Sequence, residues 1–223
     1  QIMSTSFLRS NLYNVLPSIY GDIGVFATGA MSIEEDFDDV TRHYAFPIGS
    51  YMIANNDKLK VDVFFREFRM TVRQLVQRFG KKKANGDVDW SVFSSHVRSQ
   101  FEAGSYETWI DVCHVIQPNE RFNPLALESK FKKYESIYYE SGSSTGSNGS
   151  SYLRSGDEDK FLSEKGYDFF PILCPRWEVT GEDVYGTDCP GMIALGDIKA
   201  LQLMHKRKAQ GIEKMINPPM VGP

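Results

Sequence analysis

The residue types best suited to chemistry in this chain of 223 residues are crowded into one stretch, CPRWEVTGEDVYGTDCPGM, at residues 174–192. Its two cysteines and four carboxylates could hold a metal ion or form a redox-active thiol pair. However, a structural zinc site needs four ligands, usually including a CxxC knuckle, and the chain has no CxxC. Asp183 and Asp188 are typical turn formers or residues that precede a helix. We therefore predict that this stretch is structural, with no bound metal and no cofactor.

The remaining chemically capable residues are dispersed. Residues 34–39 contain five carboxylates, which could coordinate a cation but are more typical of a solvated loop. Cys113 and His114 are neighbours in a strand-like segment, where successive side chains point to opposite faces, so we expect a buried cysteine and an outward histidine. The motifs HExxH, GxSxG, GxGxxG and the phosphate-binding loop are absent. No enzymatic activity is predicted.

Composition narrows the class of protein. A hydrophobic content of 41% and an aromatic content of 13% are ordinary for a folded domain. The net charge of −4 gives no general attraction to nucleic acids or to anionic membranes. Three cysteines at irregular spacing argue against a disulfide framework and for a reducing compartment. No apolar run approaches the roughly 18 residues of a membrane span, so no membrane partner is predicted.

Hydrophobic periodicity predicts an α+β fold. Helical spacing is present at residues 6–20, ended by Gly21, and again at residues 70–80 and 90–101. Strand patterns occupy residues 23–36, 43–55, 60–71, 108–118, 134–141 and 166–179. The turn NNDK between the second and third of these strands indicates a hairpin.

The C-terminal part has a different organisation. Residues 141–160 are rich in serine and glycine and are expected to form a mobile loop. An apolar stripe over residues 191–216 predicts one long helix, about 39 Å in length, which Asn217 and the following prolines end. The predicted organisation is therefore residues 1–140, a loop at 141–160, strands and a turn at 161–190, and the helix at 191–217.

An ordered set of short motifs resembles the head-to-tail connecting (portal) proteins of short-tailed, podovirus-type bacteriophages. The motifs are Tyr20-Gly21-Asp22, Arg66-Glu67-Phe68, Pro175-Arg176-Trp177, Tyr185-Gly186, Pro190-Gly191-Met192, Asp197-Ile198-Lys199 and Pro218-Pro219. The resemblance runs from about residue 6 to residue 219. Three features depart from the family pattern: a longer loop at residues 141–160, a cysteine at position 189, and a chain shorter at both ends than the family's. The chain is therefore expected to be part of a longer portal chain.

The resemblance implies a structural role in the virion, in a protein made in the bacterial host cytoplasm. Portal subunits form a homo-oligomeric ring, typically of twelve, at one capsid vertex. Double-stranded DNA passes through the ring without sequence specificity, driven by a terminase, and the ring also contacts capsid and tail proteins. The mixed strands and short helices would form the peripheral wing, and the long C-terminal helix would lie nearer the channel. The alternative is another virion protein, such as a tail adaptor, or a prophage relic.

Two groups of residues follow from this resemblance. The first is a structural joint between the wing and the long helix, formed by Pro175, Arg176, Trp177, Tyr185, Gly186, Pro190 and Gly191. The second is a set of helix cations, Lys199, Lys206, Arg207 and Lys208, which are candidates for loose contact with DNA phosphates or for pairing between subunits. A solvated helix face is the alternative for these cations and the one that we favour.

Overall fold

The computed structural model describes residues 2–82, 86–142, 160–181 and 183–218. Helices and antiparallel sheets are both present, with a long helix at the C-terminal end, so the predicted α+β class is confirmed. Within these ranges, no helix combines the length and the hydropathy that crossing a bilayer requires. The predicted loop at residues 141–160 lies almost entirely outside the described residues, as does Pro219.

The chain begins with two helices, α1 (Ile2–Arg9) and α2 (Leu12–Phe26). The prediction of a single helix ending at Gly21 was wrong, because α2 continues to Phe26 and closes at Ala27, whose φ of 61° is left-handed. Pro17 lacks the N–H that would donate to the carbonyl oxygen of Tyr13, four residues earlier in α2. Tyr13 is exposed, so water can supply that hydrogen bond and the proline is tolerated. The first strand consequently begins at Ala30, not at residue 23.

The strands form two antiparallel sheets. A three-stranded sheet has the order β2-β1-β8 and contains β1 (Ala30–Asp36), β2 (Val40–Phe46) and β8 (Ile172–Leu173). A five-stranded sheet runs in sequence order through β3 (Tyr51–Asn55), β4 (Val61–Thr71), β5 (Trp109–Pro118), β6 (Tyr134–Glu140) and β7 (Ser163–Tyr167). The predicted β3–β4 hairpin is confirmed. The single strand predicted at residues 43–55 is instead divided between the two sheets.

Two short helices cover one end of the five-stranded sheet. Helix α3 (Val72–Phe79) begins with a capping box in which Thr71 and Gln74 satisfy each other's backbone N–H groups, and it ends at Gly80 as predicted. The helix predicted at residues 90–101 is divided into a 3-10 turn (Trp90–Val92) and α4 (Ser95–Glu102). Ser94 separates the two parts because its side chain caps α4 by accepting the N–H of Val97.

The hydrophobic residues form two cores that share the same central strands. The first core packs α3 and α4 on the sheet through Leu75, Val97 and Val112. The second core lies between the two sheets and contains Phe64 and Ile116. Strands β4 and β5 contribute to both cores, so the two cores are joined by continuous backbone.

The C-terminal helix is divided near its start into α5 (Pro190–Ile193) and α6 (Leu195–Ile216), which meet at Ala194. The 22 residues of α6 correspond to about 33 Å at the usual rise. Every residue of α6 is exposed, including its leucines, isoleucines and methionines. Among the described residues, the apolar stripe of this helix is therefore not buried against any other part of the chain.

Candidate assembly surfaces

Arg176 is the central polar contact of the predicted joint. Its guanidinium donates to the side-chain oxygen of Asn55 at 3.2 Å and to the carbonyl oxygens of Val184 at 3.0 Å and Leu59 at 2.8 Å. These acceptors belong to the β3–β4 hairpin and to the loop before α5. Since one planar guanidinium serves all three acceptors, Arg176 holds this loop against the five-stranded sheet.

Two glycines of the joint allow the backbone to approach α2 closely. A Cβ atom on Gly186 would lie 2.1 Å from the carbonyl oxygen of Ala27, and the Gly186 N–H donates to Thr28 Oγ1 at 2.8 Å. A Cβ atom on Gly191 would lie 3.0 Å from Val25 Cα. No other residue type fits at position 186 without displacing backbone, so the joint is built directly on the end of α2.

The remaining joint residues connect the same elements. Trp177 donates its backbone N–H to Ala27 at 2.8 Å and leaves its ring about half exposed. Tyr185 accepts the Ile53 N–H through its hydroxyl at 3.3 Å. Pro190 occupies the first turn of α5, where its missing N–H costs nothing. The structure thus brings together the residues predicted as a joint at the place where α5 begins.

The cysteines beside this joint are free thiols. Cys174 is partly buried, Cys189 is fully buried, and neither forms a disulfide. Burial raises the pKa of the Cys174 thiol to about 12, against a lowering by Arg176. In the described ranges, no three histidine, cysteine or carboxylate side chains are close enough together to hold a metal ion.

A polar row crosses the core face of the five-stranded sheet between the two cores. Arg66, His114 and Tyr138 are direct cross-strand partners on β4, β5 and β6. Arg66 Nε donates to His114 Nδ1 at 3.3 Å, and the His114 ring stacks on Tyr138 with 3.8 Å between ring centroids. His114 Nε2 lies 3.0 Å from Ser136 Oγ, to which it can donate because Nδ1 is the acceptor.

The prediction of an outward His114 was wrong. Its side chain is 4% exposed and shares the core face with Val112 and Ile116, while Cys113 is buried on the opposite face. Burial, followed by the nearby charges of Arg66 and Arg78, lowers the pKa of His114 to about 3. The imidazole is therefore neutral at physiological pH. The alternation of the sequence could have predicted this burial, because positions 112, 114 and 116 share one face of a strand and two of them are apolar.

Beside this row lies a groove of about 520 Å³ between the two sheets. Arg66 lies over the rings of Phe46 at 4.9 Å and Phe68 at 4.6 Å, and Arg78 lies over Tyr138 at 5.2 Å. Within the part of the chain that the structure describes, neither guanidinium forms an ion pair with a carboxylate. The groove was not predicted from the sequence.

The acidic run forms the end of the β1–β2 hairpin. Asp36 Oδ1 accepts the backbone N–H groups of Asp38 at 2.8 Å and Asp39 at 3.2 Å, and Arg42 pairs with Asp36 at 2.8 Å. These backbone hydrogen bonds, with the charge of Arg42, hold the pKa of Asp36 below its usual value. Phe37 at the tip is fully exposed. The run is an ordered turn that displays an aromatic side chain.

On α6 most apolar side chains lie on one face, and three of the four predicted cations lie on the other. At about 100° per residue, Leu201 and Ile212 lie near the centre of an apolar stripe that covers roughly half the circumference. Lys199, Lys206 and Arg207 lie within about 100° of one another on the other face. Lys208 belongs to the stripe side. The four predicted cations therefore do not form a single surface.

Comparison with known proteins identifies the family. A family model described as bacteriophage head to tail connecting protein matches residues 1–223. The chain belongs to this family. The resemblance seen in the sequence motifs is thus confirmed.

Two relatives of this chain are named as portal proteins. The chain is 49% identical over 221 residues to the portal protein of Salmonella phage epsilon15. It is 36% identical over 220 residues to the probable portal protein of Bordetella phage BPP-1. Each alignment covers 99% of this chain and 36% of the relative. The chain thus spans about a third of the length of these portal proteins.

Proposed function

We propose that this chain is part of a phage portal subunit, a structural component that assembles into a ring at the capsid vertex and attaches the tail. The observation that carries the proposal is α6, whose apolar stripe is exposed along its whole length among the described residues. An exposed apolar face of this length marks an interaction surface. Membership of the connector family and the names of the two relatives support subunit assembly as the interaction.

In this proposal the two faces of α6 have separate roles. The apolar stripe packs against neighbouring subunits, with Lys208 inside it as a candidate for pairing between subunits. Lys199, Lys206 and Arg207 are candidates for loose contact with the phosphates of passing double-stranded DNA, and a solvated face is the alternative. A few cations in an acidic chain suit a conduit, because many phosphate contacts would bind DNA tightly and slow its passage.

The joint residues complete the proposal by positioning α6. Arg176 and Gly186 fix the loop that leads into α5, and Gly191 places α5 against α2. Changes at these residues would alter where the long helix begins and so impair ring assembly. The two parts that the joint connects are a wing-like region over residues 1–140 and 161–190 and the helix over residues 191–217. The role is structural, with no reaction catalysed and no cofactor bound.

Ring assembly of the full-length protein tests the proposal. We expect native mass spectrometry and negative-stain images to show a closed ring, twelve-membered as in typical portals. Leu201→Asp places a charge in the apolar stripe and should abolish the ring. Leu203→Asp is the matched control, because Leu203 is similarly exposed on the cationic face of the same helix (56% and 49% exposed, respectively). A wild-type protein that remains monomeric, or equal effects of both variants, would contradict the proposal.

A further inference from the structure

The groove beside the polar row and the tip of the β1–β2 hairpin are complementary surfaces on the same chain. The groove presents the guanidinium groups of Arg66 and Arg78 between aromatic rings. The hairpin tip presents the fully exposed ring of Phe37 next to Asp38 and Asp39. Among the described residues, the side-chain carboxylates of Asp38 and Asp39 form no ion pair. An aromatic group with flanking carboxylates therefore matches an aromatic groove with two guanidinium groups.

The tip is held in one shape before any partner binds. Asp36 accepts the N–H groups of Asp38 and Asp39, and Arg9 donates to the Asp38 carbonyl oxygen at 3.2 Å. Val40, the first residue of β2, has a φ of 71° and sets the turn. Because the backbone is already ordered, docking of Phe37 would cost little additional conformational entropy.

The hairpin cannot fill the groove of its own subunit. Glu34 and Tyr44 of the same hairpin form part of the groove wall, and Phe37 is three residues beyond Glu34 along the strand. At about 3.3 Å per residue, the tip extends roughly 10 Å past that wall. A hairpin tip that fills this groove must therefore come from another subunit.

The lining of the groove favours a protein segment over nucleic acid. Glu34 and Glu67 also line it and offset the two guanidinium charges, so the groove has no net positive charge to attract a phosphate backbone and its apolar walls decide the occupant. The apolar walls supplied by Phe46, Pro47 and Phe68 suit an inserted aromatic side chain. A contact between two different surfaces of identical chains is head-to-tail, and repeated contacts of this type can close into a ring.

We propose that Phe37 of one subunit inserts into the Arg66/Arg78 groove of the next subunit, with Asp38 and Asp39 pairing with the two guanidinium groups. This contact rests on the proposed ring and adds a second interface to the one formed by α6. It assigns roles to a fully exposed phenylalanine and to two arginines that have no carboxylate partner among the described residues of their own protomer.

Charge reversal in the full-length protein tests this contact. We expect Asp38→Lys and Arg78→Glu each to raise the protein concentration needed for half-assembly at least tenfold. The double variant Asp38→Lys/Arg78→Glu should recover assembly at least partly, because the reversed charges attract again. Asp57→Lys is the matched control, since Asp57 is also an exposed aspartate in a hairpin turn, and it should assemble like the wild type. Circular dichroism of each variant checks that the fold is retained.

Cysteine crosslinking provides a second measurement that does not depend on dissociating the ring. Phe37→Cys combined with Ser50→Cys, a residue that lines the groove, should give covalent oligomers after oxidation with copper–phenanthroline. Phe37→Cys combined with Lys58→Cys, which lies outside the groove lining, should give none. A wild-type ring whose charge variants assemble normally, or whose groove pair does not crosslink, overturns the hairpin contact alone. A monomeric wild-type protein overturns both this contact and the proposed ring.

Discussion

At the scale of single residues, Gly186 shows how closely the joint is packed. The substitution Gly186→Ala brings a Cβ atom within 2.1 Å of the Ala27 carbonyl oxygen, so backbone must move. We expect the free energy of unfolding to fall by about 2–3 kcal/mol. Gly196→Ala is the control, because a Cβ atom there meets nothing within 4 Å and alanine favours a helix. Urea unfolding of the full-length protein measures both, and equal stability of the two variants would refute the packing argument.

His114 makes stability depend on pH. Its pKa is about 3 in the folded protein and about 6.5 when unfolded, so the unfolded state binds the proton more readily. The stability that the neutral imidazole contributes is complete above pH 6.5 and is lost as the pH falls towards 3.

We therefore expect the wild-type protein to lose about 2 kcal/mol between pH 6.5 and pH 5 through His114. His114→Gln removes this part of the dependence, and His43, whose pKa burial also lowers, contributes to the slope that remains. Denaturant unfolding of the wild type and of His114→Gln at several pH values is the measurement, and the same profile for both would exclude this role for His114.

The sequence predicts some residues of these surfaces and not others. The residues of the predicted joint could be singled out because its glycines, prolines and arginine occur in ordered motifs. Arg66 and His114 were missed as a pair because they are 48 positions apart and only the β4–β5 register brings them together. Each residue lies on the apolar face of its strand, and this was the feature of the sequence that could have indicated that they face the core.

At the scale of elements, the proposed function gives the two faces of α6 separate roles, one in assembly and one in DNA contact. Replacing Lys199, Lys206 and Arg207 with alanine leaves the apolar stripe intact, so the ring should still form. We expect the ring to bind duplex DNA more weakly, with a salt dependence that becomes shallower by about 0.9 for each phosphate that the helix no longer neutralises. Lys208→Ala, on the stripe side, should leave the salt dependence unchanged. DNA binding by assembled rings at several salt concentrations is the measurement, and an unchanged slope in the triple variant supports a solvated face instead.

The element boundaries show where local sequence signals are insufficient. Helix α2 passes through Gly21 and Pro17 because Ile19 is buried, so tertiary packing outweighs the weak helix propensity of glycine. The segment at residues 43–55 has continuous strand character, yet it supplies strands to two different sheets. By contrast, the β3–β4 hairpin and α3 follow their turn and capping residues closely, since those signals act over only a few residues.

At the scale of the whole molecule, the two cores should unfold together, because β4 and β5 run through both of them. Leu75→Ala in the first core and Phe64→Ala in the second should lower the free energy of unfolding by about 2–5 and 3–5 kcal/mol, respectively. Tryptophan fluorescence of the full-length protein should report the same urea midpoint as circular dichroism for each variant. Separate transitions for the two signals would show that the cores unfold independently.

The exposure of α6 has a consequence for the assembled particle. Because no residue of α6 is buried among the described residues, contacts from outside them can set the direction of this helix. In the proposed ring, each helix would extend from the joint, and neighbouring helices would limit one another. The width of the channel would then depend on all the subunits together, and not on the geometry of any single subunit.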